Sequence, residues 1–277
     1  MTADQMPPEV ISACGRQRGL VTAAQLDRLG VDRAQRTDLS RRGLLTRLDW
    51  DVFEILGSPT PPRFAYPYAA WLALRPASFT WERPGAAGTT TADAVLSHEG
   101  AASVLGLGAP SLSRFTFTAP TPLAAPRATR VLLAPLRPDE VSTHNGLPVT
   151  TAHRTVVDLV RSHADHLELR GIITDAVRLD LVDLAALHRD LSPLADEHRF
   201  PAEGPEFAGW FLPDLDDAAL SPRNAHALAA LLRPATPTDP PTFPEAVPGA
   251  RPGSEAAVRP DGGVDVTGPG RHFGSEI

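Results

Sequence analysis

Six arginines, Arg28, Arg33, Arg36, Arg41, Arg42 and Arg47, fall in one short stretch whose only acids are Asp32 and Asp38, a local net charge of +4 inside a chain of formal charge −7. All 26 basic residues of the 277 are arginine. Guanidinium groups on one helix face suit phosphate oxygens and guanine edges, which accept paired hydrogen bonds. The acidic balance speaks against a nucleic-acid-binding surface all round, so any such function must be local. Stepping 100° per residue with Leu39 pointing inward turns Ala34, Thr37 and Arg41 outward and puts Arg33 and Ser40 on the flanks. Gln35, Arg36 and Arg42 then fall toward the core side, where their stems pack and charged heads reach for solvent. The plainer reading is a salt-bridged surface helix.

A second group of residues has the types that acid–base or metal chemistry needs. SHEG places His98 beside Glu99, and HRTVVDL offers His153, Arg154 and Asp158. A zincin-like site requires two histidines one helical turn apart with a glutamate between them, and neither segment has that spacing. Ser97 reads instead as a helix cap, and Arg154 with Asp158 as an i,i+4 pair worth roughly 0.2–0.5 kcal/mol. His163, His166, His188 and His198 lie on predicted helix ends, as solvated histidines do. There is no glycine-rich phosphate loop and no Gly-x-Ser-x-Gly. The single cysteine, Cys14, excludes an internal disulfide and reads as a small buried hydrophobe. No enzyme, cofactor or metal is therefore expected.

The elements that would position the arginines follow from local signals. A helix starts after Pro7-Pro8 and stops at Gly19; Thr22 caps a second that closes at Gly30; Asp32 caps a third that runs to about Arg42 and ends at Gly43. Leu48, Trp50, Val52 and Glu54 then alternate with Asp49, Asp51 and Phe53, which predicts a short hairpin. Three helices and a hairpin in about 55 residues spell a winged helix-turn-helix. Arg47 is the only cation of that wing, beside Asp49, Asp51 and Glu54, so one copy would hold few phosphates. A dimer, or two copies on a repeated site, is expected.

Downstream, residues 57–63 read as a linker, FAYPYAAWLAL as a helix broken near Pro67, and the glycine- and threonine-rich run to Thr91 as a loop. AVLSHEGAASVLGLG predicts a helix capped at Ser97 and stopped by Gly106 and Gly108; RFTFTAP and RVLLAPL read as strands, and Asn145-Gly146 marks a hairpin. Thr151 caps an amphipathic helix carrying Val156, Val157, Leu159 and Val160. Two more helices follow, then a last one from Ser221-Pro222 to about Leu232. From Arg233 the chain is dominated by Pro, Gly, Ala and Thr and is expected to be disordered. The predicted fold class is α+β: a winged helix-turn-helix over 1–57, a mixed α/β domain over 63–150, a helical segment over 151–232 and a disordered tail over 233–277. With no apolar run of membrane-spanning length and no basic-then-apolar N-terminus, the expected location is the cytoplasm.

Three blocks, GLVTAAQLDRLGVDRAQRTDLSRRGLLTRLDWDVFEI, AVLSHEGAASVLGL (94–107) and GLPVTTAHRTVVDL (146–159) followed by ITDAVR (173–178), give the chain a resemblance to the AbiEi-type antitoxin family. These are the repressor halves of abortive-infection toxin–antitoxin pairs, and the resemblance covers about residues 10–195. It implies an N-terminal winged helix that binds operator DNA and represses its own operon, and a following domain that counters a nucleotidyltransferase-type toxin. By position the recognition helix falls on Arg33 to Arg42 and the wing on Thr46 to Leu56. DNA would be read through Arg33, Thr37, Ser40 and Arg41, with Arg47 positioning the backbone. Two positions depart from the family pattern: Asp51-Val52-Phe53 stands where Gly-Val-Tyr is frequent, and Arg36 where an apolar residue is usual. A regulator without a toxin, a divergent nuclease carried to DNA by the winged helix, and a purely protein-binding winged helix are the alternatives.

Overall fold

The computed structural model describes residues 6–57, 60–84, 92–162, 164–213 and 215–233. Met1–Pro234 forms one compact unit, mixed α+β with two sheets among the described residues. His163, most of the threonine-rich run before Thr91 and the predicted tail from 234 onward lie outside the described residues. None of the described helices is long and apolar enough to cross a membrane.

The first part of the chain folds as α1 (Pro8–Arg16), β1 (Leu20–Thr22), α2 (Ala23–Arg28), α3 (Arg33–Arg41), β2 (Leu45–Arg47) and β3 (Val52–Ile55). The sheet is antiparallel in the order β1-β3-β2, with Val21 opposite Phe53 and Thr46 opposite Glu54. Thr22 and Asp32 cap α2 and α3 as expected, each reciprocated by a glutamine three residues on, Gln25 and Gln35. That use draws Gln35 away from the core side and leaves it exposed. Two features differ from expectation. Leu20–Thr22 is a strand, concealed because all three residues are buried and do not alternate. The alternating stretch from Leu48 to Asp51 is a turn, and the strand proper begins at Val52.

The middle of the chain forms α4 (Pro62–Ala73), β4 (Val95–Ser97), α5 (His98–Leu105), β5 (Phe115–Ala119), β6 (Thr129–Leu133), β7 (Val141–His144) and β8 (Leu147–Thr150). Sheet order is β6-β5-β4-β8-β7, parallel where β4 meets β8 and where β5 meets β6. Helix α4 passes through Pro67 unbroken. Burial of Tyr68, Trp71 and Leu72 on that helix offsets the roughly 3 kcal/mol that an interior proline costs. The helix expected to start at Ser97 and stop at Gly106 forms as α5, from His98 to Leu105, and the residues before it, not foreseen as a strand, are the buried central β4. Ser97 occupies the cap position, but its hydroxyl makes no cap bond and turns to the Thr116 carbonyl instead. The Asn145-Gly146 turn forms as predicted, with both residues at positive φ.

Helices α6 (Ala152–Arg161), α7 (His166–Arg178), α8 (Leu184–Leu191), α9 (Ala195–His198), α10 (Gly204–Phe211) and α11 (Pro222–Leu231) complete the described chain. At their centre Phe200 meets Phe207 and Phe211 edge-on, and those two rings lie tilted against each other. Buried Asn224 ties α11 down, donating to the Val177 and Val182 carbonyls and accepting from the Leu184 amide. Three apolar clusters result, one beneath α1–α3, one around α4 and the larger sheet, and one among α6–α11. Leu20 and Val52 belong to the second cluster, so the smaller sheet packs directly on the middle of the chain.

Candidate nucleic-acid interface

Helix α3 is held from below by Leu39, which packs with Val10, Cys14, Val21, Leu26, Val31, Leu45 and Phe53. Its opposite face carries Arg33, Ala34, Thr37 and Arg41, all exposed, with Ser40 half-buried at the margin. The Thr37 hydroxyl donates back to the Arg33 carbonyl at 2.9 Å. The four predicted reading residues of α3 thus share one face, as the 100° stepping required.

What the sequence could not show is which arginines are already engaged. Arg28 makes a two-pronged pair with Glu82 at 2.7 and 2.8 Å and lies over the Phe79 ring. That pairing, reinforced by the Phe79 amide, pulls the Glu82 carboxyl down to about 2. Arg36 turns back onto α2, pairing with Asp27 and donating to the Val31 carbonyl at 2.9 Å. Arg42 pairs with Asp38 at 3.3 Å and Arg47 with Asp51 at 2.7 Å. Arg33 and Arg41 alone of the six make no ion pair or side-chain hydrogen bond among the described residues, and both sit on the outward face of α3.

The β2–β3 turn is unusual. Val52 donates its amide to the Asp49 carbonyl at 2.8 Å, while Trp50 and Asp51 have φ of +50° and +55°. That is the signature of a type I′ turn, which normally takes Asn-Gly because both central residues are left-handed. Trp50 is held there from outside the turn. Its indole N–H donates to the Arg127 carbonyl at 2.7 Å, its ring meets Phe115 edge-on at 6.1 Å, and neighbouring Asp49 pairs with the Arg127 guanidinium. The tip of the predicted wing is therefore anchored to β5 and to the segment between β5 and β6. Both acids at the tip that seemed hostile to phosphate are spent, Asp49 on Arg127 and Asp51 on Arg47.

A second clamp holds α2. Buried Gln17 and Gln25 exchange amide hydrogen bonds at 2.9 and 3.2 Å; Gln25 also donates to the Ser78 carbonyl, Gln17 accepts from the Thr80 amide, and the Thr22 hydroxyl donates to the Pro76 carbonyl. The glutamine pair has no local signal in the sequence, and Trp50 reads there only as one residue of an alternating strand. A lone tryptophan at the tip of a polar turn was the one available hint.

The two histidine motifs lie on helices that pack together, α5 and α6, close enough for Asp158 to act on His98 through its charge. The His98 ring lies 3.0 Å from the Ser97 hydroxyl, which also accepts from Thr118; Arg154 donates to Asp158 at 2.8 Å and to Glu140 at 3.1 Å. Burial pushes the His98 imidazole below its ordinary value, while the charges of Asp158 and Glu99 pull the other way. Ser97 is fully buried, and its bonds tie β4 to β5, while Arg154 ties α6 to Glu140 just before β7. The remaining described histidines of that group are dispersed: His153 on Asp190, His166 on the His198 carbonyl, His188 on the Ala202 carbonyl. Among the described residues no three His, Cys, Asp or Glu side chains gather as metal ligands would.

No protein-family model matches the chain, and no curated protein matches it significantly. Among solved structures it is similar to the RV2827C protein from Mycobacterium tuberculosis, at 17% identity over 84% of this chain and 85% of that one, with a TM-score of 0.38.

Proposed function

We propose that residues 6–57 are a winged helix-turn-helix, that α3 is its recognition helix, and that the protein is a cytoplasmic transcriptional repressor acting on its own operon. The observation that carries this reading is the division among the arginines: Arg28, Arg36, Arg42 and Arg47 are paired within the chain, whereas Arg33 and Arg41 are left on one exposed face. Guanidinium groups left without a protein partner on an outward helix face are available to something outside the chain, and base edges and phosphates are what guanidinium pairs fit. Arg33, Thr37, Ser40 and Arg41 would face the major groove. Arg47 is the wing cation that would position the backbone, but its pair with Asp51 withholds it from phosphate until that pair opens. So few contacts per copy call for two copies on the operator. No cofactor or catalytic residue is required.

Fluorescence anisotropy of the full chain on its own upstream DNA and on a scrambled duplex, across a salt series, tests this. Sequence-dependent, salt-sensitive binding that fails in Arg41→Ala is the expected result; equal weak binding to both duplexes, unchanged in the variant, would leave α3 a solvated or protein-binding face. The resemblance to AbiEi-type antitoxins supports a second role, neutralisation of a nucleotidyltransferase-type toxin by the region after residue 62. Rescue of growth on co-expression with a toxin encoded beside it is the test. If no such neighbour is rescued, the protein is a solitary regulator.

A further inference from the structure

A cleft of about 570 Å³ opens where the end of β3 and the turn after α1 meet α4 and the β7–β8 hairpin. That volume lies within the range of small-molecule sites. Its walls are tied to one another: the Arg18 carbonyl accepts from the Thr60 hydroxyl at 2.7 Å, and the Arg18 Nε donates to the Asn145 carbonyl at 3.1 Å. The turn after α1 is thereby joined both to the chain entering α4 and to the hairpin, and the cleft is formed before any ligand arrives. Ile55, Phe64 and Leu147 give it an apolar interior, and Leu56, 70% exposed, stands at its rim. Half-buried His144 also lines it, and the imidazole makes no hydrogen bond among the described residues. Gly15, in the last turn of α1, opens onto the same space. Its backbone is not left-handed, and a Cβ there would meet no atom within 4 Å. Glycine is a poorer helix former than any residue but proline, and no close neighbour demands it here; its missing side chain leaves the mouth of the cleft open.

We infer that this cleft binds a small uncharged aromatic molecule carrying one hydrogen-bonding group, its rings against Ile55, Phe64 and Leu147 and that group on the His144 imidazole. Phe64 and Tyr68 offer it aromatic neighbours. A neutral imidazole donates from one ring nitrogen and accepts at the other, so it suits a phenol or an aromatic amine equally. A charged ligand would leave water for an apolar lining, which is costly, whereas neutral rings gain by the same transfer. The inference stands whether or not α3 binds DNA, because no lining residue belongs to that face.

The probe is N-phenyl-1-naphthylamine, titrated by fluorescence into the full-length protein, with 8-anilinonaphthalene-1-sulfonate as the same ring system bearing a charge. Saturable binding of one amine per chain is expected, tighter than that of the sulfonate and displaced by 1-naphthol. Gly15→Phe should weaken it at least tenfold by filling the mouth, while the urea midpoint holds or rises, because the new side chain has room and phenylalanine is the better helix former. His144→Phe keeps a ring and removes the hydrogen bond, and should weaken binding about fivefold, the effect of one neutral hydrogen bond. Non-saturable binding, binding indifferent to either substitution, or preference for the sulfonate would overturn the inference; if Gly15→Phe fails to fold, His144→Phe and the sulfonate decide it.

Discussion

Asp51→Gly asks how the β2–β3 tip would meet a phosphate backbone. Asp51 lies at φ +55°, and its carboxylate pairs with Arg47 at 2.7 Å with both side chains roughly two-thirds exposed, 64% for Arg47 and 68% for Asp51. Glycine adopts that φ freely and removes the carboxylate. On stability the terms nearly cancel: relief of left-handed strain, about 1 kcal/mol, is set against glycine's extra freedom when unfolded, about 0.5–1 kcal/mol, and an exposed ion pair worth about 0–1 kcal/mol. The urea midpoint should hardly move. On DNA the consequence is larger, because an Arg47 released from Asp51 adds one phosphate contact per copy. Each added contact steepens the dependence of log affinity on log salt by about 0.9. Between about 200 and 50 mM salt the variant should then gain about 3.5-fold over the native chain for one copy, and about 12-fold for two. Anisotropy across that range reads the slope directly. Parallel salt lines for two folded proteins would refute the idea that Asp51 keeps Arg47 from DNA, and a shallower line would mean that the carboxylate itself is needed.

Trp50→Ala removes the hydrogen bond to the Arg127 carbonyl and the edge contact with Phe115, and should lower the unfolding free energy by about 2 kcal/mol in urea titrations. An unchanged midpoint would mean that the turn is not anchored. Asp93→Asn strands the buried Arg83 guanidinium, which Asp93 grips from both oxygens while the Trp71 ring lies 3.5 Å beneath, so about 3–5 kcal/mol should be lost. A loss under about 1 kcal/mol would contradict that account. Burial pushes the Cys14 thiol from its ordinary value near 9 up to about 12, so Ellman's reagent at pH 8 should modify it only after unfolding. Tyr68 is shifted the same way, from 10 to about 12, chiefly by burial. Both folded values exceed the unfolded ones, so the stability they confer is intact below about pH 9 and lost as pH rises toward 12. Stability that increased across that interval would reverse the sign and refute the assignment.

Legibility followed range. Helix starts at Thr22 and Asp32 were readable because each cap and its glutamine lie three residues apart, and the Asn145-Gly146 turn because two adjacent residues suffice. Pro67 misled because its cost is local while its compensation, the burial of Tyr68, Trp71 and Leu72, comes from the whole middle of the chain. The arginine cluster shows the limit most clearly. Sequence proximity set Asp32 and Asp38 against it, yet Asp32 is consumed as a helix cap. The acids that pair with Arg28, Arg36 and Arg47 are Glu82, Asp27 and Asp51, the first of them 54 positions away. Arg33 and Arg41 emerge as the ones unpaired among the described residues only by elimination through contacts that no periodicity announces.

Those same contacts constrain how α3 could act. A DNA-reading head on a flexible linker adjusts its orientation to each half-site, but here the hairpin tip is bound to Arg127 and Phe115 and α2 is bound to residues 76–82. To re-aim α3 the protein would have to break both the Trp50 anchor and the glutamine clamp, several hydrogen bonds at about 1 kcal/mol each together with an ion pair. If two copies bind an operator, as proposed, their spacing is set by the whole compact unit, and half-sites moved apart by a few base pairs should lose cooperativity sharply instead of being accommodated. By the same reasoning, whatever shifts the segment around Arg127 shifts the β2–β3 tip with it, since Asp49 and Trp50 both hold that residue. An anchored turn that costs two left-handed residues is worth keeping only if the fixed orientation it secures is used.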